Sequence, residues 1–278
     1  MSGLSVPEVR ARKRQGPPLV MVTAYDAPTA EIASAAGTDL ILVGDSVATA
    51  VLGYRDTLSV TMDVMVHHVA AVARAEPEPM VVGDLPWLSY HRGPSRAVAN
   101  AGRLIRAGAQ AVKLEGGRKR LDTVRALLDA EVPVMGHLGL TPQSVNALGG
   151  YKVQGRGPEG GRALLEDAVA LSEAGCFCIV LEAVPDEVAR AVTEAVEVPT
   201  IGIGAGPHCD GQVLVFQDLV GLEGRLRPRF VRRYASLRDA SVDAVRRYGE
   251  DVRAGTFPGP EESYAAKPGD GIARRSAG

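Results

Sequence analysis

Five apolar runs in this 278-residue chain each end on a group able to carry charge. Ile41-Leu-Val-Gly leads to Asp45, Val81-Val-Gly to Asp84, Val112-Lys-Leu to Glu115, Val134-Met-Gly to His137 and Ile179-Val-Leu to Glu182. One acid after a strand is an ordinary turn residue or helix cap. Five successive runs ending this way, with Asp45 and Asp84 followed by loops, point instead to one shared site. Lys113 and Glu115 are two residues apart and share a strand face, leaving Val112 and Leu114 on the other. A lysine facing the apolar side would be buried without a partner, so both charges are expected to face the site. If Asp45, Asp84 and Glu115 end neighbouring strands, ~4.8 Å apart, their carboxylates repel unless a cation sits among them. An all-oxygen set selects a hard ion, Mg²⁺ first, with zinc the weaker alternative because His137 is the one imidazole nearby. Glu182 lies apart from these three, which suits a base better than a ligand.

The elements that must position these groups follow from periodicity. Apolar, Val- and Ile-rich runs occur at Leu19–Ala24, Leu40–Gly44, Met80–Gly83, Ala111–Leu114, Val132–Gly136, Cys178–Leu181, Thr200–Ile203 and Val213–Phe216. Helical periodicity fills Ala27–Ala36, Val64–Ala75, Ser95–Ala107, Leu121–Ala130, Arg162–Ala174 and Asp186–Ala195. Continuous apolar strands alternating with helices imply a parallel sheet covered on both faces, and eight of them suggest a closed (β/α)8 barrel of the TIM type. In such a barrel the carboxyl ends of the strands form the mouth. An open doubly wound sheet is the runner-up. Its best support, Gly202-Ile-Gly-Ala-Gly206, lacks the third glycine of a dinucleotide fingerprint, because Pro207 follows. In a barrel those glycines suit either a phosphate or close backbone packing.

Ser5-Val-Pro-Glu8 reads as a helix start, with a short helix to about Arg14. Residues 1–255 are expected to form the barrel with this N-terminal helix. The chain after Pro228 reads as helical to about Val252, and 256–278, rich in Gly, Pro and Ala, as a mobile tail. Apolar residues make up 46% and charged residues 23%, with a formal charge of -2, so nothing draws the chain to nucleic acid or an anionic membrane. No apolar run is long enough to span a bilayer, and no apolar core follows the basic N-terminus as it would in a signal peptide. Cys176, Cys178 and Cys209 lack zinc spacing and read as packing residues in a reducing cytosol.

Several segments together are specific: Val22-Thr-Ala-Tyr-Asp26, Leu42-Val-Gly-Asp-Ser46, Val112-Lys-Leu-Glu-Gly-Gly117, Gly136-His-Leu-Gly-Leu-Thr-Pro-Gln-Ser144, Gly150-Tyr-Lys-Val-Gln-Gly-Arg-Gly157 and Ile201-Gly-Ile-Gly-Ala-Gly206. From about Val6 to Pro260 the chain resembles the ketopantoate hydroxymethyltransferase family. The resemblance implies a barrel of the phosphoenolpyruvate mutase/isocitrate lyase group and a Mg²⁺ site at Asp45, Asp84 and Glu115, the last acting through water. It implies substrate contacts at Asp45, Ser46, Asp84 and Lys113, Glu182 as general base and His137 as an active-site histidine. It also implies a cytoplasmic homodecamer, and transfer of a hydroxymethyl group from 5,10-methylenetetrahydrofolate to 3-methyl-2-oxobutanoate through a Mg²⁺-stabilised enolate, with Lys113 helping to carry the enolate charge. Departures from the family pattern are small: Ser59 stands where proline is usual, Glu262-Ser-Tyr264 replaces His-Ser-Phe, and Pro207-His208-Cys209 varies a loop near the mouth. Two alternatives are a related Mg²⁺-dependent aldolase or lyase acting on another 2-oxo acid, and a non-catalytic barrel that binds a small acid.

Overall fold

The apolar runs are strands, and alternation within each sorts its side chains between two layers. The structure is a computed structural model describing residues 3–222 and 228–265. The strands are β1 (Leu19–Thr23), β2 (Leu40–Val43), β3 (Met80–Asp84), β4 (Ala111–Glu115), β5 (Val134–Gly139), β6 (Cys178–Glu182), β7 (Thr200–Ile203) and β8 (Gly211–Leu214). They pair in parallel, each with the next and β8 with β1, as a closed barrel. The helices are α1 (Val6–Ala11), α2 (Ala27–Ala35), α3 (Val47–Ala50), α4 (Met62–Ala73), α5 (Pro94–Arg106), α6 (Leu121–Asp129), α7 (Val145–Leu148), α8 (Gly157–Ala174), α9 (Asp186–Ala195), α10 (Phe216–Leu219) and α11 (Leu237–Ala254).

Leu19, Met21, Leu40, Leu42, Met80, Val82, Ala111, Met135, Cys178, Val180, Ile201 and Val213 fill the barrel interior. The alternate residues, among them Ile41, Val81, Val112, Leu114, Val134, Ile179 and Leu181, join the helices in the outer core. Gly136 faces outward, where a Cβ would come within 2.9 Å of Leu171 on α8. Its missing side chain lets the helix lie close while His137 turns inward. The amino-terminal end of the barrel is stoppered. Fully buried Val9 of α1 joins the interior cluster, Ser5 N–H donates to Glu8 Oε2 at 2.7 Å, and Lys13 Nζ meets Asp210 Oδ2 at 3.0 Å. Polar groups at the opposite, carboxyl end therefore have that mouth to themselves.

Some boundaries differ from the sequence reading. The N-terminal helix stops at Ala11 rather than Arg14, and α8 starts five residues earlier than expected, with Pro158 tolerated in its first turn. β8 begins at Gly211, not Val213. Leu19 O would lie 2.5 Å from a Cβ there, so a glycine is needed for the approach of β1, and its lack of an apolar side chain hid the strand start. Residues 228–236 are not helical. Tyr234 N–H and Leu237 N–H donate to Leu219 O and Val220 O at 2.9 and 3.0 Å, which folds the segment back along α10. The glycines after β7 serve close packing: Gly204 and Gly206 have φ of +65° and +78°, and a Cβ would meet the Phe230 ring at 2.7 Å and Asp186 Cβ at 2.4 Å. All three cysteines are buried and free. Of the expected tail, 256–265 contains neither helix nor strand, and 266–278 lie outside the described residues.

Candidate active site

The barrel register brings the sequence-predicted groups together. Asp84 ends β3 opposite Lys113, Glu115 ends β4 opposite His137, and Glu182 ends β6 opposite Gly139 and Ile203. Asp45 follows β2 by way of Gly44. Ala111, Lys113 and Glu115 share the inward parity of β4, so both charges face the interior as expected. Asp45, Asp84, Lys113, Glu115 and His137 are all buried, and with Ser46 and Glu182 they line one cavity of about 260 Å³.

Lys113 is the hub. Its Nζ lies 2.8 Å from Asp84 Oδ2 and donates to His137 Nδ1 at 3.1 Å. An ammonium has only donors, so His137 Nδ1 must accept and its proton must sit on Nε2. That Nε2 faces Glu182 Oε2 at 3.3 Å, off the axis of a true hydrogen bond. Burial alone would strip the proton from Lys113, but Asp84, Glu115 and Asp45 around it hold its pKa above the ordinary value. Burial, then the Lys113 charge, pushes the His137 pKa well down, so its ring is neutral. Burial and then Asp84 push the Asp45 carboxyl up to about 7. Burial does the same to Glu182, also to about 7, with Lys113 opposing. Glu115 is raised well above its usual range by burial and Asp45. Raised acids beside a fixed ammonium and a neutral imidazole form a set able to move a proton near neutral pH.

A family model described as ketopantoate hydroxymethyltransferase matches residues 4–260. The chain belongs to the ketopantoate hydroxymethyltransferase family. It is 55% identical over 264 residues to the 3-methyl-2-oxobutanoate hydroxymethyltransferase of Moorella thermoacetica, covering 95% of this chain and 98% of that one. It is 53% identical over 268 residues to the Syntrophomonas wolfei protein of the same name, at 96% and 97% coverage. Among solved structures it resembles phosphonopyruvate hydrolase in complex with oxalate and Mg²⁺, with a TM-score of 0.61, 16% identity and 93% of each chain covered. It also resembles 2,3-dimethylmalate lyase, a phosphoenolpyruvate mutase/isocitrate lyase superfamily member, with a TM-score of 0.59, 20% identity and 91% and 89% coverage. At those identities the likeness is one of fold, and the fold is the one the sequence implied. The chain is thus an enzyme, a one-carbon transferase of the hydroxymethyltransferase family.

Two features of this family member's site were not visible in sequence. Gln143, from the turn Pro142–Ser144 after β5, is 4% exposed and donates through Nε2 to Asp45 Oδ2 at 2.8 Å. Tyr25, buried, shares a 2.7 Å hydrogen bond between its hydroxyl and Ser46 Oγ. Both lie in segments that carried the family resemblance, which was the available signal, but loops have no period to reveal which way a side chain turns.

The donor set suits a hard dication. Asp84 Oδ1 and Glu115 Oε1 are buried with no hydrogen-bond donor, and bare acid oxygens in one cavity are what such an ion neutralises. Among the described residues no three His, Cys, Asp or Glu groups form a ready-made cage.

Proposed function

We propose that the protein transfers a hydroxymethyl group from 5,10-methylenetetrahydrofolate to 3-methyl-2-oxobutanoate, giving 2-dehydropantoate (ketopantoate), an early step of pantothenate biosynthesis. The observation that carries the reading is the convergence of Glu182, His137 and Lys113 with the bare oxygens of Asp84 and Glu115 on one cavity. Asp45 and Asp84, with Glu115 through water, would hold a Mg²⁺ ion, which would supply Lewis-acid polarisation of the 2-oxo acid and so make its C3 proton more acidic.

Leu42, Val180, Ile203 and Val213 line the cavity and suit the two methyl groups on C3. Ser46, held by Tyr25, is placed to donate to the substrate carboxylate. Glu182 removes the C3 proton; a carboxyl raised to about 7 is far better matched to that task than an ordinary one. The Nε2–H of His137 faces the Glu182 carboxylate and steadies it. The Lys113 ammonium stays charged and stabilises the negative oxygen that develops on the substrate. The C3 carbanion then attacks the methylene carbon of the second substrate. Both bonds from that carbon to the two folate nitrogens break, one on attack and the other as water supplies the hydroxyl, and the nitrogens take up the C3 proton and one proton of the water.

A second cavity of about 770 Å³ shares Tyr151, Glu182, Pro228 and Phe230 with the first and is also lined by Lys152 and Arg229. Two aromatic rings and two cations beside the base suit a ring-bearing, carboxylated cosubstrate. We place the enzyme in the cytoplasm as a homo-oligomer, a decamer by family resemblance. Among the described residues no helix is long and apolar enough to cross a membrane. The test is proton exchange. With Mg²⁺ in D₂O the protein should exchange the C3 proton of 3-methyl-2-oxobutanoate without folate, and form ketopantoate only with it. Preference for another 2-oxo acid across a panel would favour a related lyase. No exchange on any acid would leave a binding barrel.

A further inference from the structure

Gln143 comes from a loop, yet each of its side-chain polar atoms and its backbone N–H is engaged. Nε2 donates to Asp45 Oδ2 at 2.8 Å and to Leu85 O at 3.0 Å. The backbone N–H donates to Glu115 Oε2 at 3.1 Å. Oε1 accepts from the Tyr90 hydroxyl at 2.8 Å. The amide's orientation follows from its partners: two acceptors on one side need the NH₂, and a hydroxyl proton needs the carbonyl oxygen. Tyr90 is itself held. Its oxygen accepts Glu115 N–H at 3.2 Å, and the Arg120 guanidinium lies 5.6 Å from the centre of its ring. The result is directional. One oxygen of Asp45 and one of Glu115 are tied to the loop after β5, while Glu115 Oε1 and Asp84 Oδ1 are left without donors.

We propose that Gln143, oriented by Tyr90, is a positioning residue that fixes Asp45 and Glu115 and thereby sets the affinity of the site for a divalent cation. Without the amide, Asp45 loses its side-chain donor while Asp84 still repels it, so the carboxylate turns away from the shared seat. The inference rests on the metal seat proposed above. Partners that orient a metal's ligands typically contribute 10–100-fold to its affinity.

The experiment measures Mn²⁺ binding to the full chain by electron paramagnetic resonance, without substrate, for wild type, Asp45→Asn, Gln143→Met and Tyr90→Phe. Gln143→Met should weaken binding by ~10–100-fold and Tyr90→Phe in the same direction by less. Excess Mg²⁺ should restore turnover in Gln143→Met, which a merely structural defect would not allow. Weaker binding in Asp45→Asn with wild-type binding in Gln143→Met and Tyr90→Phe overturns the positioning role alone. Wild-type binding in Asp45→Asn overturns the seat itself. Should Gln143→Met fail to fold, Tyr90→Phe, which deletes a single oxygen, decides.

Discussion

Glu182→Gln separates the chemistry of the site from its cost to the fold. The Glu182 carboxyl is raised from 4.5 to about 7, chiefly by burial. A carboxyl raised on folding binds its proton more tightly in the native state. Its contribution is therefore most favourable below the unfolded pKa and is lost as pH rises towards 7. A shift of that size is worth at most about 3 kcal/mol. The side chain is 18% exposed, so some solvent screening reduces this ceiling. Glutamine keeps the shape and does not titrate. Metal-free Glu182→Gln should gain about 2 kcal/mol over wild type between pH 5 and pH 8, as read from urea melts of chelator-treated protein. The same variant with Mg²⁺ should bind 3-methyl-2-oxobutanoate but lose C3 proton exchange in D₂O by ~10²-fold or more, followed by NMR. Exchange at the wild-type rate would show that the base lies elsewhere, with His137 next in line. Identical melts at both pH values would show that the carboxyl is not strained by burial, and its fitness as a base near neutrality would go with it.

Three further outcomes follow from the same geometry. Asp45→Asn should abolish Mg²⁺-dependent binding of the oxo acid in calorimetry yet leave the metal-free fold intact, because it removes a carboxylate repelled by Asp84. Lys113→Met should cost the metal-free protein about 3–5 kcal/mol in urea melts, because Asp84 and Glu115 lose their buried cation. Added Mg²⁺ should recover part of that stability but not turnover; a variant with unchanged stability and normal turnover would remove Lys113 from its central place. Lys152→Gln and Arg229→Gln should each raise KM for the folate cosubstrate up to about tenfold, the scale of one charge-assisted hydrogen bond, with KM for the oxo acid unchanged. Equal effects on both would mean that the second cavity is not the folate seat.

What could be read from the sequence divides along a physical line. Asp45, Asp84, Glu115, His137 and Glu182 were legible because each follows an apolar run, and a barrel forces strand ends to one mouth. The period of two then fixed the direction of Lys113 and Glu115, which share the parity of interior Ala111. Strand parity could not show which of these groups touch. The 2.8 Å contact of Lys113 with Asp84, and the 3.1 Å contact that fixes the His137 tautomer, depend on interstrand register. The loops were opaque for another reason. Gln143 and Tyr90 lie outside any period, and their roles exist only because a turn after β5 folds back over the ends of β2 and β4. The start of β8 was missed at Gly211, where a glycine required by β1 looks like a break in an apolar run.

The same division explains how the site is built. Burial raises the Asp45, Glu115 and Glu182 carboxyls, and repulsion among the strand-end charges adds to it at Asp45 and Glu115, so by themselves they would make a poor and unstable cluster. Lys113 neutralises one side of it from within β4. Gln143 and Tyr90 restrain another side from the loops, and the unpartnered oxygens of Asp84 and Glu115 remain for a cation. A barrel that varies its loops while keeping its strand-end acids could then alter the restraint on Asp45 and Glu115 without disturbing the contact between Glu182 and His137. That pair hangs on β5 and β6, and Lys113 ties it to Asp84.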